Sequence, residues 1–180
     1  MARDLHIWKT GHRLQAALGA YKLAFGVDRS PLPWSDILKA QVVLVAGANV
    51  AECAPITTDY LWRCRDAGGK LIVVDPRMTP ICRNSDIYLP VRPGTDLALY
   101  MGLLHVVLRE GLERRDFIRE HTTGFDQVAD SVRAWDPRMV AEKTGVPPEA
   151  IERAAHTFAK ADRAIAMHRA SGPPSGEIHR

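Results

Sequence analysis

The sequence predicts an α/β fold: a Rossmann-like, doubly wound parallel sheet with additional helices, expected to be a fragment of a larger multidomain protein. Three observations lead there. Val42-Val43-Leu44-Val45-Ala46 and Leu71-Ile72-Val73-Val74 are wholly apolar and rich in β-branched residues, as strands covered on both faces should be. A helix-forming stretch joins them and stops at Gly68-Gly69, making a β-α-β unit with parallel strands. No internal repeat is present, and no core-forming strand stands near the start, so the chain reads as a segment rather than a closed domain.

The elements follow in order. Residues 1–12 carry no pattern. Leu14, Ala17, Leu18, Tyr21 and Phe25 recur at three and four, which predicts an amphipathic helix over 13–25 ended by Gly26. Two prolines make 27–34 a loop, and Ser35 is placed to cap a short helix over 36–39. After the first strand, Gly47-Ala48-Asn49 leads to a helix that includes 57–66, with Pro55 near its first turn. Asp75-Pro76-Arg77 stands at the end of the second strand. A shorter strand over 87–91 runs into Arg92-Pro93-Gly94-Thr95-Asp96. Residues 97–110 are helical and apolar nearly all round, the signature of a helix packed inside something large, and Gly111 stops them. Helical pieces follow at 117–121 and 128–135. A helix pair over 139–144 and 148–160 is joined at Gly145-Val146-Pro147, then a strand is predicted at 164–167 and coil beyond.

Composition excludes several classes. With 46 % hydrophobic and 25 % charged residues in 180, the chain has apolar surface enough to fold rather than stay disordered. The longest apolar stretch, 97–108, is broken by Gly102 and His105 and falls short of a membrane span. A net charge of +3 gives no field for nucleic acid. Cys53, Cys64 and Cys82 are odd in number and lack CxxC spacing, so neither a disulfide framework nor a zinc site is expected. The start has neither an apolar signal core nor twin arginines. A reducing, cytoplasmic location is the expectation.

In open α/β sheets, ligands sit outside the carboxyl ends of the strands. Three loops should emerge there. At the first, Gly47 lets backbone approach a phosphate, and the helix after Asn49 would offer N–H groups to an anion. At the second, Asp75 can accept from both hydroxyls of a ribose. At the third, Asp96 can accept from the N1–H and amino group of a guanine. Arg77 and Arg92 add positive charge. Each residue also has a plainer role: Asp75 before proline as a turn former, Asp96 as a helix cap, the arginines as surface charges. The first loop is not GxGxxG, since Asn49 and Glu52 stand where glycines would be. Convergence of three loops on one edge favours the ligand reading.

Other features are weighed likewise. His105 is expected as a hydrogen-bonded core histidine rather than a ligand. Cys53 lies near the first loop but has no His or Asp beside it in sequence. Residues 139–160 also fit a helix-turn-helix, yet Glu149 and Glu152 would lead its second helix toward phosphates that repel them. A hairpin packed on the sheet is the better account.

At the three loops the sequence resembles the molybdopterin oxidoreductase family, most of all assimilatory nitrate reductases and formate dehydrogenases. The likeness lies in 42–52, in Ile72-Val73-Val74-Asp75-Pro76-Arg77-Met78-Thr79, and in Leu89-Pro90-Val91-Arg92-Pro93-Gly94-Thr95-Asp96 with the helix after it. It runs from about residue 13 to 166. The resemblance implies a cofactor, molybdopterin guanine dinucleotide carrying molybdenum or tungsten. Gly47, Asn49 and Glu52 would lie at the phosphate loop, Asp75 and Arg77 at the ribose and guanine end, and Gly94 and Asp96 at the guanosine. It implies 13–167 as the dinucleotide-binding domain, with a helical insertion at about 112–162, flanked by an unassigned 1–12 and a coil tail, 168–180.

The departures shape the functional expectation. The family's iron–sulfur cysteine cluster is absent, as is its second dinucleotide domain. Arg13-Leu14 is followed by Gln15, with no metal-binding cysteine before Cys53, and Ala54 precedes Pro55 where relatives often have histidine. Residues 1–12 and 168–180 do not look like the family, as truncation or a shifted reading frame would leave them. The expectation is a cofactor-binding domain of an oxidoreductase of nitrate or formate type. No catalytic or metal-ligating residue is assigned, and the chain alone is expected to be inactive. Its partners would be the cofactor and the enzyme's other domains, with self-association through exposed apolar surface. The alternatives are a non-catalytic nucleotide-binding module and, more weakly, DNA binding.

Overall fold

The computed structural model describes residues 33–168 together with Lys22, Leu23 and Gly26. The helix predicted over 13–25 falls almost wholly outside these, as do residues 1–12 and 169–180. Gly26 adopts φ +73° and its N–H donates to the Lys22 carbonyl at 2.9 Å, a helix-ending geometry.

Among the described residues four strands form one sheet: β1 (Val42–Ala46), β2 (Lys70–Val74), β3 (Ile87–Leu89) and β4 (Ala164–His168). Their order is β3-β2-β1-β4 and every pairing is parallel. Ala46 pairs with Val74 and with His168, and Val74 pairs with Leu89, so all four carboxyl ends share one edge.

Both faces are covered. Val43, Val45, Leu71 and Val73 point to a layer of three helices: α1 (Val50–Cys53), α2 (Pro55–Asp66) and α3 (Pro80–Arg83). A 3-10 turn, Trp34–Lys39, buries Ile37 in the same layer. Leu44, Ala46, Ile72 and Val74 point the other way, toward α4 (Asp96–Arg109), α7 (Pro137–Thr144) and α8 (Pro148–Ala159). This alternation explains why β1 has no polar face: its five residues are all buried. Two outlying helices, α5 (Arg115–His121) and α6 (Phe125–Val132), complete the chain between α4 and α7.

Local chemistry accounts for most boundaries. Pro55, Pro80, Pro137 and Pro148 each open a helix, where a missing N–H costs nothing. The Asp136 carboxylate caps α7 by accepting from Arg138 N–H at 2.8 Å. Two expectations need correction. Ser35 lies inside the 3-10 turn and caps nothing; Pro33 precedes the turn instead. The helix expected to include 57–66, with Pro55 in its first turn, is α2 as expected, but the turn directly after Asn49 is a separate helix, α1, which ends at Ala54, φ −151°.

The apolar helix α4 buries Ala98, Leu99, Gly102 and Val106, while Leu97 stays 70 % exposed. His105 Nδ1 lies 2.9 Å from the Val132 carbonyl of α6, so it is hydrogen-bonded as expected, but half-buried rather than enclosed in the core. The α7–α8 hairpin packs on the sheet and on α4. Ala150, Ile151, Ala154 and Ala155 are turned inward, which leaves Glu149 outward.

Candidate functional site at the carboxyl edge of the sheet

Parallel register places the three loops side by side. Adjacent strands lie about 4.8 Å apart, so the ends of β1 and β3 stand roughly 10 Å apart on this edge. Two backbone bonds tie the loops together: Gly47 N–H donates to the Val74 carbonyl at 2.8 Å, and Asp75 N–H to the Leu89 carbonyl at 3.3 Å.

The first loop turns at Gly47, φ +59°, and enters α1 at Asn49. Asn49 Nδ2 donates to Glu52 Oε2 at 2.7 Å, and Asn49 Oδ1 is buried with no donor among the described residues. The Glu52 acceptor decides the orientation of that amide. A single helical turn has little dipole, so any anion here would be met by discrete N–H groups rather than by a helix field. Sequence reading did not foresee this limit.

The second loop holds Asp75, 4 % exposed. Its Oδ1 accepts from the Arg77 N–H at 2.8 Å, the turn-forming role, and its other oxygen makes no bond among the described residues. Tyr88 OH donates to the Asp75 carbonyl at 2.9 Å and fixes the loop from β3. Burial raises the Tyr88 pKa, with further contributions from Cys82 and Asp75, and keeps its hydroxyl a donor. Arg77 is exposed, and its guanidinium has no ion pair among the described residues.

The third loop is a turn in which Thr95 N–H donates to the Arg92 carbonyl at 3.1 Å. Pro93 and Gly94 fill its centre, and the +81° φ of Gly94 is what such a turn demands of its third residue. Asp96 is the first residue of α4 rather than its cap, which is Thr95. Its carboxylate has no hydrogen bond among the described residues and, after burial, helps raise the pKa of Tyr100 one turn on. Arg92 behaves otherwise. Its guanidinium donates to the Glu142 carbonyl at 2.9 Å, away from a role as a free rim charge.

The structure thus brings Gly47, Asn49, Glu52, Asp75, Arg77, Gly94 and Asp96 to one edge. It also adds a residue the sequence did not suggest. His168 ends β4 beside Ala46, at the point where strand order reverses. Only the pairing of β4 with β1 could have revealed it. Among the described residues, no three His, Cys, Asp or Glu side chains gather as a metal ion would need.

A family model for molybdopterin oxidoreductases matches residues 10–165. The chain belongs to the molybdopterin oxidoreductase family. It is 37 % identical over 148 residues to the assimilatory nitrate reductase catalytic subunit of Bacillus subtilis, covering 82 % of this chain and 21 % of that protein. It is 36 % identical over 153 residues to the F420-dependent formate dehydrogenase subunit alpha of Methanocaldococcus jannaschii, 85 % of this chain and 23 % of that one. Acetylene hydratase from Pelobacter acetylenicus superposes with a TM-score of 0.76 at 30 % identity, over 84 % of this chain and 20 % of that structure. The molybdopterin oxidoreductase chain therefore spans about a fifth of the length of these relatives. No helix among the described residues is long and apolar enough to cross a membrane.

Proposed function

We propose that this chain is the part of a molybdopterin oxidoreductase that holds the guanine dinucleotide of the pterin cofactor, in an enzyme of nitrate reductase or formate dehydrogenase type. The observation that carries the reading is the set of acceptors on one edge that have no partner among the described residues: Asn49 Oδ1, the second oxygen of Asp75 and the carboxylate of Asp96. A buried acceptor without a donor is costly, so the Asn49 amide oxygen calls for an N–H or O–H from a ligand.

The residues present suit such a group. Asp75 would take ribose hydroxyls, and Asp96 the N1–H and amino group of guanine, each a charge-assisted bond. Gly94, with nothing within 4 Å of where a β-carbon would stand, leaves room for a flat base. Arg77 supplies the positive charge. Gly47 and the first N–H groups of α1 would face a phosphate, while Glu52 holds Asn49 in place. Bound, the cofactor supplies the metal at which oxygen-atom or two-electron transfer occurs. The chain's own work is to orient it. Iron–sulfur chemistry would lie in another part of the complete enzyme, and the 180 residues alone would turn over neither nitrate nor formate. A cytoplasmic site, and self-association through the Leu97 and Tyr100 face of α4, belong to the same reading.

The test is calorimetry of the 180-residue chain with GMP and with IMP, which lacks the amino group Asp96 would read. GMP should bind at least tenfold tighter, the worth of one hydrogen bond to a charged acceptor. Asp96→Asn should erase the preference. Equal affinity for both bases overturns the guanine reading.

A further inference from the structure

The last four carbonyls of any helix lack internal partners. In α7 they belong to Ala141, Glu142, Lys143 and Thr144. Gly145 N–H takes the first at 2.8 Å. Arg92 takes the rest: its Nη1 donates to Glu142 O at 2.9 Å and, at a longer 3.5 Å, to Lys143 O, while its backbone N–H donates to Thr144 O at 2.9 Å. One residue of the third loop therefore closes a helix some fifty positions away.

The seat for that side chain is built for it. Gly145 has φ +78°, a backbone that side chains rarely adopt, and a β-carbon there would stand 3.2 Å from Arg92 Nε. Thr144 is fully buried; its hydroxyl donates to the Val140 carbonyl and accepts from Val146 N–H, holding the hairpin turn rigid beneath the guanidinium. The same helix grips α4 one turn and a half beyond Asp96, where Gly102 meets Val140. Helix α7 thus holds the third loop from both sides: through Arg92 before the Pro-Gly turn and through α4 after it.

From this geometry we infer that Arg92 is a positioning residue: it latches the third loop to the carboxyl end of α7, and so sets where Asp96 stands. Its charge is spent on helix carbonyls and the α7 terminus rather than on a ligand phosphate. The inference about base selectivity rests on the guanine reading above; the inference about the latch does not.

Two variants of the 180-residue chain separate these roles. Arg92→Met keeps the stem and removes the donors. Gly145→Ala disturbs the seat and leaves every charge on the edge intact. Hydrogen exchange is followed at the amides of Arg92, Thr95, Gly145 and Val146, with those of β1 and β2 as internal reference. Each variant should speed exchange at these four amides at least tenfold relative to the sheet. The double variant should be no faster than the faster single one, because both break the same contact. Each variant should also bring the GMP-to-IMP affinity ratio down to near one.

Unchanged exchange at Arg92 and Thr95 in Gly145→Ala, or additive effects in the double variant, would overturn the latch. So would loss of affinity for both nucleotides in Arg92→Met with none in Gly145→Ala, which would make Arg92 a reader of charge. If Gly145→Ala does not fold, Thr144→Val removes the hydroxyl beneath the turn and takes its place. A wild-type chain indifferent to base would sink the guanine reading alone, and the exchange data would still decide the latch.

Discussion

Gly102 of α4 sits directly against Val140 of α7: a β-carbon added at the glycine would stand 2.9 Å from one valine methyl and 3.0 Å from the other. The two helices can approach this closely only because Gly102 has no side chain. That approach carries α7 down onto the sheet, where Val140 joins the core with Leu99 and Ile151. Position 102 looked in sequence like a mere interruption of an apolar run. In the fold it is the contact between two helices of the same layer, α4 and α7.

Gly102→Ala should therefore destabilise the protein, although alanine is the better helix former by about 1 kcal/mol. Overpacking against a branched, stiff side chain costs about 1–3 kcal/mol and outweighs that gain. In a Val140→Ala background the same change should become neutral or stabilising. Denaturant midpoints of the four proteins check the reversal of sign.

Gly69→Ala should be worse. A β-carbon there would meet the Cys64 sulfur at 2.5 Å and the Cys64 carbonyl at 2.8 Å, and backbone cannot swing aside. The Cys64 thiol would also lose its bond to the Ala40 carbonyl, 3.3 Å away. A loss of roughly 2–4 kcal/mol is expected, in the range of severe core substitutions, with a lower thermal midpoint as the readout.

The three thiols should react in a set order. Cys53 is exposed, whereas Cys64 and Cys82 are buried. Burial pushes the Cys64 pKa up, which keeps the reactive thiolate scarce. Cys82 is held between the Thr79 hydroxyl at 3.1 Å and the Arg77 carbonyl. Alkylation of the native chain at mildly alkaline pH should label Cys53 alone, with the other two labelled only after unfolding. Mass spectrometry of peptides decides it.

At the far end of α4, Glu110 accepts from Arg109 at 2.9 Å and lies 2.6 Å from His156 of α8, while Arg109 also reaches Glu152. The hydrogen bond from Arg109, and next that from His156, hold the Glu110 carboxyl below the usual carboxylate range. A group whose folded pKa is depressed lends stability above its unfolded value, near about 4.3, and loses it as pH falls through the folded value. Glu110→Gln should be less stable than the wild type at neutral pH, and the gap should close in acid. The side chains are part-exposed, so added salt should narrow the gap as well.

Asp75→Asn tests the second loop apart from the fold. The amide oxygen can still accept from Arg77 N–H, so the turn and the overall stability should hold within about 1 kcal/mol. Binding of GMP should weaken about tenfold, as the charge that would meet the ribose is gone. Deoxy-GMP should bind the wild type and the variant more nearly alike.

Much of this molecule could be read along the chain. Two apolar runs identified β1 and β2, because a strand buried on both faces must be apolar at every position. The loops after them, and the one after β3, followed from the rule that parallel strands end together. Boundaries set by long-range packing could not be read this way. Nothing near Ser35 shows that Pro33 begins the turn, whereas the break at Ala54 is signalled by Pro55, which keeps the residue before it out of the helical region. The pairing of β4 with β1, which carries His168 to the edge, depends on contacts across the whole chain.

What the sequence determined by itself was the class of fold, the family and the presence of three polar bends where strands finish, since these depend on local pattern and order. Only the tertiary structure decided what each polar group in those bends is already bound to. Arg92 and Asp96 stand four places apart in one loop, and nothing in the sequence shows what either is bonded to. In three dimensions the first is spent on the end of α7, and the second has no hydrogen bond among the described residues. Hydrogen-bond partners fifty residues away leave no trace in local periodicity, which is why the difference appears only when the chain is folded.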